Sequence, residues 1–266
     1  MTGPLTQVYE DLKEVPLAVV GGGSHGKSTA IKHLLAWAIQ DDVRVKVFDI
    51  SLAQKYNTPV KNFVSVNITN FHEVENRDNC VYDLSMLGYD ERRIFVARII
   101  YEDWLNQRDG LLIDRDFIEK NPRILYVFDE GSSFLDSRSI NKADEWGTTL
   151  RDFIASGRNY GQDGIIISRA ISGEIATKYR RKCNYLLGRV KGDEEISYIR
   201  RGTDRDFIDV AKSLEKYNFI YYGTDRIDTP FTFPYNSNYG DPEDITPYPA
   251  QHNKKKGLWG HLYGKG

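Results

Sequence analysis

The sequence predicts an α/β fold, a mainly parallel sheet with helices on both faces. Three observations predict it. Short, almost continuously apolar runs recur along the chain, as strands buried on both faces require. Longer stretches with a helical period separate them, the alternation that builds βαβ units. Finally, one such run, LAVV at 17–20, passes through a glycine-rich turn straight into a helical stretch.

The elements follow in order. Residues 17–20 read as a buried strand, the glycine turn follows, and a helix covers 27–40. Strands are expected at 43–50, 63–68 and 80–84. A long amphipathic helix spans about 90–108, with Phe95, Ile99, Tyr101 and Leu105 among its inward positions. Residues 124–128 (ILYVF) form a strongly apolar strand, and a helix near 144–160 leads to a strand at 164–168. A short helix near 173–180, a strand at 184–190, helical stretches near 193–201 and 204–214, and a strand at 218–222 end the regular pattern. From Gly223 to Gly266 the texture turns to Pro, Asn, Gly, Asp and Tyr. The chain therefore divides into a core over 1–222 and an irregular tail over 223–266 that orders against a partner.

Composition sets the outer limits. A chain of 266 residues, 40% hydrophobic and 28% charged, suits one large globular domain with a sizeable core. A net charge of −2 gives no global attraction to nucleic acid or membrane, so any DNA contact must come from local patches. Two cysteines, Cys80 and Cys183, exclude a disulfide framework and a zinc pattern. The first fifteen residues lack the basic and apolar regions of a signal peptide, and no apolar run approaches the ~18 residues of a membrane span. A soluble intracellular protein is the expectation.

The glycine turn carries the first chemistry. Gly21-Gly22-Gly23-Ser24-His25-Gly26-Lys27-Ser28 fits G-x-x-x-x-G-K-[ST] in full, between a strand and a helix, with Thr29 next on the helix. Glycines let the loop curl so that successive N–H groups face a phosphate, and the helix adds its positive N-terminal end. Lys27 is placed to reach the β- and γ-phosphates, and the Ser28 hydroxyl to ligate Mg²⁺. ATP and Mg²⁺ are the implied ligands.

The strand at 124–128 runs into Asp129 and Glu130. Asp129 is placed to hold Mg²⁺ through water and Glu130 to act as general base toward the attacking water. Two acids at a strand end are common as solvated groups; behind a complete P-loop they read as a Walker B pair. A glutamate directly after the magnesium aspartate indicates a P-loop NTPase of the additional-strand, catalytic-glutamate (RecA-like) type, in which an extra strand lies between the two motif strands. The tetrad Asn141-Lys142-Ala143-Asp144 spells the guanine-reading motif of GTPases, but Ser137-Arg138-Ser139-Ile140 before it is no buried strand, and its partner D-x-x-G is missing upstream.

A further segment resembles a family. Ser156-Gly157-Arg158-Asn159-Tyr160-Gly161, followed by Gly164-Ile165-Ile166-Ile167-Ser168-Arg169, is similar to the FtsK–HerA ATPases, in which a G-R-x-x-G turn precedes a strand ending in a small hydroxyl residue and a polar sensor. Tyr82-Asp83-Leu84-Ser85, the helix from Asp90 and the Walker B strand fit as well. The compact size, the short segment before the P-loop and the stretch 178–201 most resemble the genome-packaging ATPases of archaeal and other membrane-containing icosahedral DNA viruses.

The resemblance covers about residues 15–222. It implies ATP hydrolysis at the subunit interfaces of a ring, a hexamer or pentamer, that translocates double-stranded DNA in the host cytoplasm or at the virion. Capsid or membrane vertex proteins would be further partners. It assigns Arg158 as a finger completing a neighbour's site, against a plain role bonding helix-end carbonyls, and Ser168 as sensor, against ordinary strand-end hydrogen bonding. Arg169 stands where the family usually has glutamine, which leaves γ-phosphate and DNA both open as its target.

Residues 131–142, with Arg138 and Lys142, are a pore-facing loop or a solvated connection. Arg180-Arg181-Lys182 is a DNA contact or, preferably, a charged helix end. Lys254–Lys256 beside Trp259 and Tyr263 is a nucleic-acid contact or a basic tail. A HerA-like plasmid or cellular translocase, a P-loop kinase and an ATP-switched assembly protein are the competing functions.

Overall fold

In a computed structural model the described residues are 3–51, 56, 59–60, 62–169, 176–190, 205–223 and 225–233. Among these residues nine strands form one sheet: β1 (Leu17–Val20), β2 (Arg44–Asp49), β3 (Asn62–Ser65), β4 (Cys80–Asp83), β5 (Ile124–Asp129), β6 (Gln162–Ser168), β7 (Asn184–Leu187), β8 (Asn218–Tyr222) and β9 (Arg226–Thr232). Their spatial order is β3-β4-β2-β5-β6-β1-β7-β8-β9. Pairing is parallel from β3 to β7, and β8 and β9 close one side antiparallel.

The interposed strand that the acid pair predicts is β6, hydrogen-bonded to β1 on one side and to β5 on the other. The two motif strands therefore end at the same edge of the sheet, one strand apart, with Ser168 at the tip of β6 between them.

The strands are apolar throughout because both faces are covered. Leu17, Val19, Val45, Val47, Leu125, Val127, Ile165 and Ile167 face α1 (Pro4–Leu12) and α2 (Lys27–Gln40). Their alternates Ala18, Val20, Phe48, Tyr126, Phe128 and Ile166 face α3 (Tyr89–Ile113) and α6 (Glu145–Ser156). On that second face Phe48 stacks on Tyr82 and Phe128, its partners on the flanking strands, at 5.6 Å between centroids. Such cross-strand pairs help fix register. Short helices α4 (Phe117–Lys120), α5 (Ser137–Asn141) and α7 (Thr177–Arg180) connect the larger elements, and α8 (Arg205–Ser213) precedes β8.

Four sequence expectations shift. In α3 the buried positions include Phe95 and Ile99 but also Asp103 and Gln107, while Tyr101 is exposed and Leu105 only half-buried. The inward slot goes to Asp103 because its carboxylate meets Lys46, itself buried on β2, at 2.8 Å. The regular pattern does not end at 222, since β9 pairs with β8 as a hairpin. The segment 131–142 is packed rather than loose: Phe134, Leu135 and Ile140 are buried, and Asp136 caps α5 by accepting from Ser139 N. The helix near 144–160 is α6, capped by Asp144, plus a separate 3₁₀ turn at Gly157–Tyr160. The helical stretch expected at 193–201, the start of the one at 173–180, and residues 234–266 of the tail lie outside the described residues.

The charged run at 180–182 closes α7, and the Lys182 ammonium donates to the carbonyls of Ile154 and Ala155 at the end of α6. Asp144 of the NKxD tetrad is spent on the α6 cap and on a bidentate pair with Arg93. Among the described residues no helix is long and apolar enough to cross a membrane.

Candidate nucleotide site

The P-loop runs from the end of β1 to the start of α2. Gly26 is the N-cap of α2 with φ 88°, a left-handed backbone that glycine adopts without strain. Gly22 N donates to Arg189 O at 3.1 Å, which ties the loop to the end of β7. The Lys27 ammonium donates to the carbonyls of Gly21 (2.5 Å) and Gly22 (3.0 Å). It is thus folded back over its own loop.

Next to the loop stand the tips of β5 and β6. Asp129 is 3% exposed and Ser168 2%, so both are fixed by packing before any ligand arrives. Glu130 has φ 59° and ψ 66°, a left-handed backbone unusual for a non-glycine residue and held only where surroundings demand it. The kink turns the chain off the strand, and Gly131 then packs so closely on β6 that an added Cβ would stand 2.2 Å from Ile166 Cγ2. The freed Glu130 carboxylate accepts from the Arg169 guanidinium at 2.8 Å. That pair joins the residue after β5 to the residue after β6, and Arg169 remains mostly exposed, at 68% of its side chain.

Gly23–Thr29, Asp129, Glu130, Ser168 and Arg169 all line one cavity of about 740 Å³. Its size suits a small-molecule site. Of the residues singled out in the sequence, these are brought together. Gly21 and Gly22 stand behind them and hold Lys27.

Arg158 is not among them. Its 3₁₀ turn precedes β6 and Ser168 ends that strand, so the length of the strand, roughly 20 Å, separates them. There it is exposed and pairs with Glu14. Within its own chain Arg158 cannot reach the cavity. Arg138 lies over the Tyr89 ring and Lys142 pairs with Asp90 at 2.7 Å, both on the outside of the α3–α5 contact. Residues 254–256, 259 and 263 are outside the described residues.

Two features escape sequence reasoning. Tyr56 is completely buried, with its hydroxyl beside both Ser28 and Asp129, and burial pushes its phenol far above the ordinary range. A serine hydroxyl and a carboxylate so placed fit the sparse protein ligation of Mg²⁺, which takes one or two protein oxygens and leaves the rest to phosphate and water. At the opposite end of the cavity three aromatic side chains, Tyr217, Phe219 and Phe233, line the wall. Nothing in the local sequence distinguishes them from core aromatics.

No protein-family profile and no curated protein matches the sequence. Solved structures do. The genome packaging NTPase B204 of Sulfolobus turreted icosahedral virus 2, in complex with ATP-γS, superposes with a TM-score of 0.58 at 12% identity, over 79% of this chain and 93% of that one. VirB4 of Thermoanaerobacter pseudethanolicus gives 0.59 at 12% identity, over 85% and 91%. The pCW3 conjugation coupling protein TcpA, solved with ATP-γS, gives 0.59 at 12% identity, over 88% and 65%. The chain shares the α/β P-loop NTPase fold of these solved structures. At such identity the likeness is one of fold, and the site residues stand on the geometry above.

Proposed function

We propose that the chain is an ATP-driven translocase of double-stranded DNA, which packages a viral genome by hydrolysing ATP at the subunit interfaces of a ring. The observation that carries this is the single cavity where Lys27, Ser28, Asp129, Glu130, Ser168 and Arg169 meet, on a sheet with β6 between the motif strands. The DNA-directed part is supported by the neighbours named for genome packaging and for conjugation coupling.

In this reading the loop amides and Lys27 bind the triphosphate, with Lys27 exchanging the carbonyls of Gly21 and Gly22 for phosphate oxygens. Ser28 and Asp129 hold Mg²⁺, which neutralises charge on the phosphates when bound. Ser168 orients the γ-phosphate from the tip of β6. Arg169 leaves Glu130 for the γ-phosphate, and Glu130, no longer paired, takes a proton from the attacking water as the β–γ P–O bond breaks to ADP and phosphate. Arg158 of a neighbouring subunit supplies positive charge to the transition state. A HerA-like plasmid or cellular translocase uses the same chemistry, and TcpA supports that second setting.

ATPase activity with and without double-stranded DNA, together with the mass of the assembly, tests the proposal. Glu130→Gln is expected to lower turnover by about 10²–10⁴-fold while nucleotide binding persists. Undiminished turnover by that variant overturns the general-base role, and turnover indifferent to DNA overturns the translocase reading.

A further inference from the structure

The cavity has two chemically different ends, set by the order of strands. From β1, the sheet runs through β6 to β5 on one side and through β7 to β8 and β9 on the other. The acids and Arg169 stand on the first side. On the second, β8 is antiparallel to β7 and β9 antiparallel to β8, so β8 begins and β9 ends at the P-loop edge. Phe219 and Phe233 sit at those ends. They are 1% and 6% exposed and meet edge to face at 5.5 Å between centroids, which makes a fixed apolar floor.

Tyr217 differs from both. It lies in the turn before β8 with φ 70°, a backbone conformation that costs a non-glycine residue energy. The residue is nonetheless 52% exposed, at the cavity wall. Packing in the core therefore does not explain why so strained a position carries a large aromatic. The ring stands against the loop: a Cβ built on Gly26 would be 3.0 Å from Tyr217 Cδ1. The Lys216 ammonium lies over the ring, 4.8 Å from its centre.

We propose that Tyr217 stacks on the base of the bound nucleotide above the Phe219–Phe233 floor, so that the site selects a nucleoside triphosphate over a bare triphosphate. The inference rests on the nucleotide reading of the P-loop and extends it. A triphosphate seated on residues 22–28 with its γ end toward Glu130 and Arg169 must project its nucleoside the other way along the sheet edge, toward these rings. Every base offers a π-face, so the contribution is shared by ATP and GTP.

The test is binding of ATP, GTP and inorganic tripolyphosphate, each with Mg²⁺, to the full chain and to Tyr217→Gly and Tyr217→Phe. Glycine suits the left-handed backbone, so the first variant removes the ring without threatening the fold. Tyr217→Gly is expected to weaken ATP and GTP by about 5- to 100-fold and leave tripolyphosphate within about twofold, while Tyr217→Phe binds as the parent does. Unchanged ATP affinity in Tyr217→Gly, or an equal loss for tripolyphosphate, overturns the stacking role. A parent protein that binds neither ATP nor tripolyphosphate overturns the nucleotide reading itself, and is thereby distinguishable.

Discussion

The two edges of the sheet carry similar residue types in opposite conditions. At the edge where β1, β5 and β6 end, charged groups face a cavity, and their partners are ones a ligand can replace. Lys27 rests on carbonyls of its own loop, and Glu130 rests on an exposed arginine. At the other edge the charges are interlocked. Lys46 donates to Asn76 and to both oxygens of Asp103, Tyr126 donates to Asp103, and Gln162 donates to Tyr126. A lysine and a carboxylate thus serve binding where their partners are exchangeable, and architecture where every bond is already made inside the protein. Arg158 belongs by position to the second edge and by proposal to the first, which makes it the residue most able to break the comparison.

The largest expected effect is therefore on Arg158→Ala. If the arginine completes a neighbour's site, ATP turnover falls about 10³–10⁵-fold, with nucleotide affinity and melting temperature unchanged. Mixing this variant with Lys27→Ala should restore part of the activity, because some interfaces then pair an intact loop with an intact arginine. If Arg158 only holds Glu14 on the surface, the change costs about 0–1 kcal/mol of stability and nothing in turnover. Steady-state hydrolysis by each variant and by their mixture separates the two.

The interlocked edge makes the reverse prediction. Asp103→Ala leaves the buried Lys46 ammonium without its carboxylate and is expected to destabilise the fold by about 3–5 kcal/mol in denaturant unfolding. The folded fraction should still bind ATP with unchanged affinity. A stability within 1 kcal/mol of the parent would mean that Lys46 is served well enough by Asn76 and Asp78, and that the network is less interdependent than its bonds indicate.

Much of the first edge is legible in the sequence, because its parts are local: a glycine loop between strand and helix, and two acids at the end of an apolar run. The glutamate after Asp129 also implies that a further strand intervenes between the motif strands, and β6 does. What escapes is what depends on sheet order and long-range packing. Tyr217, Phe219 and Phe233 reach the cavity only because strands distant in sequence finish at the same edge, and Tyr56 comes beside Ser28 and Asp129 only through long-range packing. β9 escapes because it is a mostly exposed edge strand with Pro230 in its run, which gives no apolar alternation to read. Asp103 escapes as an inward residue because an isolated acid on a helix reads as a solvated one until Lys46 is placed beneath it.

The smallest expected effect concerns Asp163, which lies on the second edge near Arg158 yet is not as well served as Asp103. It is 5% exposed and accepts from Arg123 Nε at 2.7 Å. Burial nonetheless dominates, and pushes its carboxyl up to about 6 despite the opposing pull of Arg123. A folded-state value above the unfolded one means that the native protein binds this proton more tightly. The stabilisation is then fully present below about pH 4 and is lost as pH rises through about 6. Asp163→Asn, which keeps a hydrogen-bond acceptor for Arg123 and cannot ionise, should remove this slope and gain on the order of 1–2 kcal/mol relative to the parent between pH 4 and pH 7. Urea unfolding of both proteins across that range measures it. Parallel pH profiles would show that Arg123 fully compensates the buried charge, and Asp163 would then join Asp103 among the saturated groups of that edge.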